Sequence, residues 1–66
     1  MKRRSVRGRS RWNDRKTGEE VMVIAARGGY ADGQSIVMFV FSDDPDRGGV
    51  LFEEEFREAF TWVAGR

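Results

Sequence analysis

Guanidinium groups at every second position carry the clearest chemistry in this chain. Arg7, Arg9 and Arg11 alternate with Val6, Gly8, Ser10 and Trp12, and Lys2, Arg3, Arg4, Arg15 and Lys16 enlarge the cluster. Eight of the twelve cations thus fall in residues 1 to 16, against the single acid Asp14. That stretch carries +7 and the remaining fifty residues −6, so the overall +1 conceals two halves of opposite sign. Clustered Lys and Arg raise the local potential whatever the net charge, and an anion is what such a field attracts. Arg11 beside Trp12 adds a second element, since a guanidinium pairs with phosphate while an indole stacks on a base. An acidic protein surface, or solvent alone, would satisfy the same arm.

Gly28-Gly29-Tyr30-Ala31-Asp32-Gly33-Gln34-Ser35, preceded by Arg27, is a second candidate. Consecutive glycines let backbone N–H groups approach a phosphate, and Tyr30 supplies a stacking face. A P-loop also needs a following helix and a Lys, and neither is present, which favours a plain hairpin loop. If ligand binds there, Arg11, Arg27 and Tyr30 are its contacts. Asp43, Asp44 and Asp46 surround one turn, but the register from Asp44 to Glu55 misses the EF-hand glycine and has no flanking helix; a solvated acidic turn results. Glu53, Glu54, Glu55 and Glu58 read as the wet face of a helix, or as a surface that complements a basic protein. Catalysis is poorly served. The chain has no His and no Cys, and Ser5, Ser10, Thr17, Ser35, Ser42 and Thr61 have no evident base. A non-enzyme without cofactor or metal is the expectation.

The elements that must position these groups are short strands. Residues 1 to 10 are expected to form a flexible basic arm, with an edge strand setting in from Val6 and residues 11 to 66 forming the domain. Asn13 to Gly18 has turn chemistry, and Glu20 to Arg27 is an apolar, β-branched run that predicts a strand. It pairs through the Gly28 to Ser35 loop, with Asp32-Gly33 as the tight turn, onto a strand at Ile36 to Phe41. Asp43 to Gly49 is expected to break that strand before Val50-Leu51-Phe52. Phe52, Phe56 and Phe60 then recur at helical spacing, with Ala59 and Val63 on the same face and acids in the first turn. A short helix of two to three turns follows, with Trp62 to Ala64 as a possible last strand. Four to five curved antiparallel strands and a C-terminal helix predict a mainly β, small SH3-like barrel or roll.

Trp12-Asn13-Asp14-Arg15-Lys16-Thr17-Gly18-Glu19-Glu20-Val21-Met22-Val23, with Phe56-x-x-x-Phe60 later, resembles small SH3-like proteins of bacteria and their phages. The likeness covers about residues 11 to 63 and implies the fold and a phage or mobile-element setting, not an activity. Glu53 to Glu55 depart from it, standing where such proteins carry basic or aromatic residues.

Sixty-six residues form one domain at most, and so short a chain buries a small fraction of its surface, which favours a homo-oligomer. Without Cys or His, neither disulfide nor structural zinc can staple it. The longest apolar run is Ile36 to Phe41, too short to span a membrane, and no apolar region follows Arg4 to make a secretory signal; a cytoplasmic protein is expected. Together these point to an oligomeric binding module for nucleic acid or a sequestered nucleotide, through Arg7, Arg9, Arg11, Trp12, Arg27 and Tyr30. The alternative is an inhibitor or adaptor that engages a host protein through a sheet edge or through Glu53, Glu54, Glu55 and Glu58.

Overall fold

The computed structural model describes residues 6–28 and 34–65. Its elements are β1 (Arg11–Asp14), β2 (Glu20–Arg27), β3 (Ile36–Phe41), β4 (Asp44–Phe52), α1 (Glu53–Ala59) and β5 (Phe60–Ala64). The strands form one antiparallel sheet in the order β4-β3-β2-β1-β5, open between its two edges and consistent with an SH3-like roll. The mainly β expectation therefore holds.

Local chemistry explains the turns. Asp14 Oδ1 accepts the N–H groups of Lys16 at 2.7 Å and Thr17 at 3.1 Å, and Gly18 takes φ 77°, which closes the β1–β2 hairpin. Register across β2 and β3 runs from Val21 opposite Phe41 to Arg27 opposite Ile36, with one extra residue, Ile24, bulged out of β2.

One face of the sheet supplies Trp12, Val21, Val23, Val37 and Phe39, and α1 with the start of β5 adds Phe56 and Phe60. Phe56 is the hub. Its ring centroid lies 5.1 Å from that of Trp12, 5.5 Å from that of Phe39 and 4.7 Å from that of Phe60, and none of its surface reaches solvent. Such aromatic pairs add to simple burial and replace the staples this chain lacks. The helix has no side-chain N-cap, but Glu53 donates its N–H to Ser35 O at 2.8 Å, and Arg57 Nε reaches Glu53 Oε2 at 3.0 Å one turn on.

Four expectations are corrected. Residues 43–49 do not break the sheet: a turn at Ser42 and Asp43 suffices, and Asp44 onward is strand. That strand is an edge, where Pro45 needs no ladder donor, and Gly48 passes so close to β3 that an added Cβ would lie 2.3 Å from Phe39 O. Phe52 does not join Phe56 on a helical face. It is the last β4 residue, and the pleat turns it away from the core. Val63 likewise lies in β5, not on the helix, and is exposed. Finally, β1 is no edge, since β2 and β5 flank it. Val6 and Ser10 are buried, Arg9 N–H donates to Val23 O at 2.8 Å, and Val23 N–H donates to Ser10 O at 2.9 Å. The tight turn expected at Asp32-Gly33 lies outside the described residues.

Candidate functional site

Alternation along residues 6–12 survives even though regular strand starts only at Arg11. Val6, Ser10 and Trp12 point inward while Arg7, Arg9 and Arg11 are exposed. The irregularity is a turn at Gly8 and Arg9, where Arg9 adopts φ 70°. Ser10 holds that turn: its hydroxyl donates to Arg7 O and accepts Trp12 Nε1–H at 2.9 Å, with no surface exposed. Two glycines let the neighbouring chain close in. A Cβ on Gly8 would lie 3.2 Å from Ile24 O, and one on Gly65, at φ 90°, would lie 2.7 Å from Arg9 O.

The three arginines are thereby fixed on a buttressed segment and not on a loose tail. Arg11 pairs with Met22, Arg9 bonds to Val23, and Gly8 lies against Ile24, so the segment runs along β2 toward Arg27. Arg27 is exposed at the end of that strand. None of Arg7, Arg9, Arg11 and Arg27 makes a side-chain hydrogen bond or ion pair among the described residues. Arg15, Arg47 and Arg57 are engaged differently. Arg47 reaches Glu19 at 3.4 Å and lies 4.2 Å over the Phe41 ring, Arg57 pairs with Glu53, and Arg15 donates to Arg57 O at 3.2 Å.

No family model, curated protein or solved structure matches this chain.

Trp12 does not belong with the arginines. At 3% exposure, with its edge bonded to Ser10 and its ring against Phe56, it has no face free for a base. Tyr30 lies outside the described residues. Glu54, Glu55 and Glu58 are exposed on α1, while Glu53 is half-buried and held by Arg57. An open groove of ≈ 500 Å³ lies beside them, lined by Gln34, Ser35, Phe52, Glu53, Glu54 and Glu55. Three carboxylates on its wall make it hostile to an anion. Asp44 Oδ1 accepts Asp46 N–H at 3.2 Å, and among the described residues no three carboxylates converge as a cation site. No helix among them is long and apolar enough to cross a membrane.

Ser10 was the residue least visible from sequence. Its only signal was its inward place in the Val6, Gly8, Ser10, Trp12 alternation, and a hydroxyl there gives no hint of the indole it will meet.

Proposed function

We propose that this chain is a non-enzymatic binding module that holds the phosphates of a nucleic acid along Arg7, Arg9 and Arg11, with Arg27 flanking them. One observation carries the reading: three exposed guanidinium groups lie beside β2 and a fourth at its end, with no partner among the described residues, while Arg15, Arg47 and Arg57 are tied to the body's own groups. A guanidinium presents a rigid fork of donors that suits phosphate oxygens, and several in a row suit a polyanion. The loss of Trp12 as a stacking surface favours backbone contact over base readout. A nucleotide held on its own would use the same phosphate chemistry with fewer contacts.

The test is fluorescence anisotropy with a labelled oligonucleotide over a salt series. Four contacts give a log-log slope of about −3 on single strands, and replacing Arg7 and Arg11 by Gln lowers its magnitude by about 1.4. Undetectable affinity at low salt would end this reading.

Exposed Glu55 and Glu58 favour a second reading, in which the acidic helix engages a basic protein partner. Binding to that partner would then survive the arginine changes and be lost on reversing those two charges.

A further inference from the structure

We propose that two copies of this chain pair face to face through the outer side of β2, β3 and β4, related by a two-fold axis that sets their strands antiparallel. Strand alternation sorts the sheet cleanly. Val21, Val23, Val37 and Phe39 enter the core, which turns their neighbours outward. Along three successive outward rows, Phe52 lies opposite Ile36, Val50 opposite Met38 and Met38 opposite Ala25, and Val40 opposite Met22. Ile24 projects beside them at the β2 bulge. Five of these remain well exposed: Met22 40%, Ile24 56%, Met38 37%, Val50 55% and Phe52 44%. Scattered apolar residues on a surface are ordinary, but a contiguous block rimmed by charge marks an interface.

The strands themselves carry the same message. Val21 to Ala26 and Ile36 to Phe41 are unbroken apolar runs, the pattern of strands covered on both faces. Helix and core cover one face; among the described residues nothing covers the other.

Charge selects a second copy as the occupant. The outward positions at the two ends of β2 are Glu20 and Arg27, opposite in sign, with Met22, Ile24 and Ala25 between them. A two-fold axis perpendicular to the strands lays Glu20 of each copy over Arg27 of the other, so one operation makes both ion pairs and stacks apolar rows between them. Glu20 is already oriented for this, since Ser42 Oγ donates to its Oε2 at 2.9 Å. Among the described residues Arg27 has no partner to give up. Three strands of about six residues span roughly 15 by 20 Å before the charged rim is counted. This places the pair at the small end of specific interfaces, about 1,200 Å² in total, and predicts micromolar exchange.

The pairing does not rest on the phosphate reading. It takes Arg27 into the rim, Arg11 borders the apolar block opposite Met22, and Arg7 and Arg9 are not part of the block.

Sedimentation equilibrium of the full chain, without oligonucleotide, from about 1 µM to about 1 mM tests the proposal. The mass is expected to rise from 7.6 kDa toward twice that value. Met38→Glu, at the centre of the block, is expected to raise the dissociation constant about 30-fold or more while the near-UV circular dichroism stays that of the wild type. Arg27→Glu and Glu20→Arg are each expected to weaken pairing about tenfold, and the double exchange to bring it back within about threefold of wild type. A constant 7.6 kDa overturns the proposal, whether or not some other protein or a vesicle then binds the face. So does a dimer indifferent to Met38→Glu, or a double exchange as weak as the single ones. Because no polyanion is present, a monomeric result leaves the arginine row standing, and a dimer that ignores oligonucleotides leaves the pairing standing.

Discussion

Ser10 joins the candidate site to the core through a single oxygen. Its hydroxyl accepts Trp12 Nε1–H and donates to Arg7 O inside a fully buried environment. Ser10→Ala leaves the indole N–H without its acceptor, and a buried donor so stranded costs about 1–3 kcal/mol. Against a total of about 3–10 kcal/mol for a chain of this length, that is a large share. Urea denaturation is expected to show the loss, and oligonucleotide affinity should fall although no charge has changed. Arg9 offers the converse experiment, removal of charge with the turn kept. At φ 70° it sits where an L side chain is strained, so Arg9→Gly relieves strain about as much as it adds unfolded-state freedom. Stability is expected to stay within about 0.5 kcal/mol while the magnitude of the single-strand salt slope drops by about 0.7. Arg9→Val removes the same charge but is expected to cost about 1–2 kcal/mol, because a β-branched residue tolerates that region worst. Equal stability of the two variants would show that the turn does not hold Arg9 in this conformation.

At the scale of elements, β4 shows how packing overrides local signals. Asp43 to Gly49 has the composition of a loop, yet Asp44, Gly48 and Gly49 pair with β3 around a register shift, because Pro45 sits on an edge and the glycines admit close approach. Gly48→Ala brings Cβ onto Phe39 O and should open the β3–β4 ladder, at about 1–3 kcal/mol. Gly49→Ala meets only the edge of the Phe39 ring at 3.3 Å and is expected to cost less, so the difference between their thermal midpoints checks the geometry. Strands β2 and β3 were readable from sequence because apolar β-branched runs bounded by turn residues admit few other structures. The Asn13 to Gly18 turn was readable for the same local reason, and so was the place of Phe56 on a helix, although Phe60 opens β5. Phe52 was not, since a helical spacing of four also fits a strand residue followed by a helix. In the candidate site, the exposure of Arg7, Arg9 and Arg11 followed from alternation. The burial of Trp12 did not, because an indole beside an arginine suits a core and a contact equally, and only the Ser10 acceptor decides between them.

The whole molecule is divided electrically and incomplete apolarly. The arginine segment lies along the sheet beside β2, whereas α1, which carries Glu55 and Glu58, packs on the core side against β3, β4 and β5. Glu55→Lys with Glu58→Lys removes repulsion toward a polyanion and is expected to speed oligonucleotide association at low salt, an effect that fades at high salt. An unchanged rate at low salt would instead mean that the charges of the helix do not reach the approaching ligand. Stability is the other whole-molecule property. A 66-residue chain with six large apolar side chains exposed, five of them in the outer block of its sheet, has surplus hydrophobic surface and little core, so folding and pairing should be linked. Anything that binds only the folded state raises apparent stability by mass action, and here the second copy supplies that term. A hundredfold rise in concentration, once pairing is populated, then adds about 1.4 kcal/mol per chain. For a domain of this size such a gain lifts the thermal midpoint by roughly 5–10 °C. Met38→Glu should flatten that dependence without lowering the midpoint at high dilution, because its side chain lies on the outer face and leaves the Phe56 cluster untouched. A midpoint independent of concentration in the wild type would mean that the aromatic core sustains the fold alone, with the apolar outer face left to solvent.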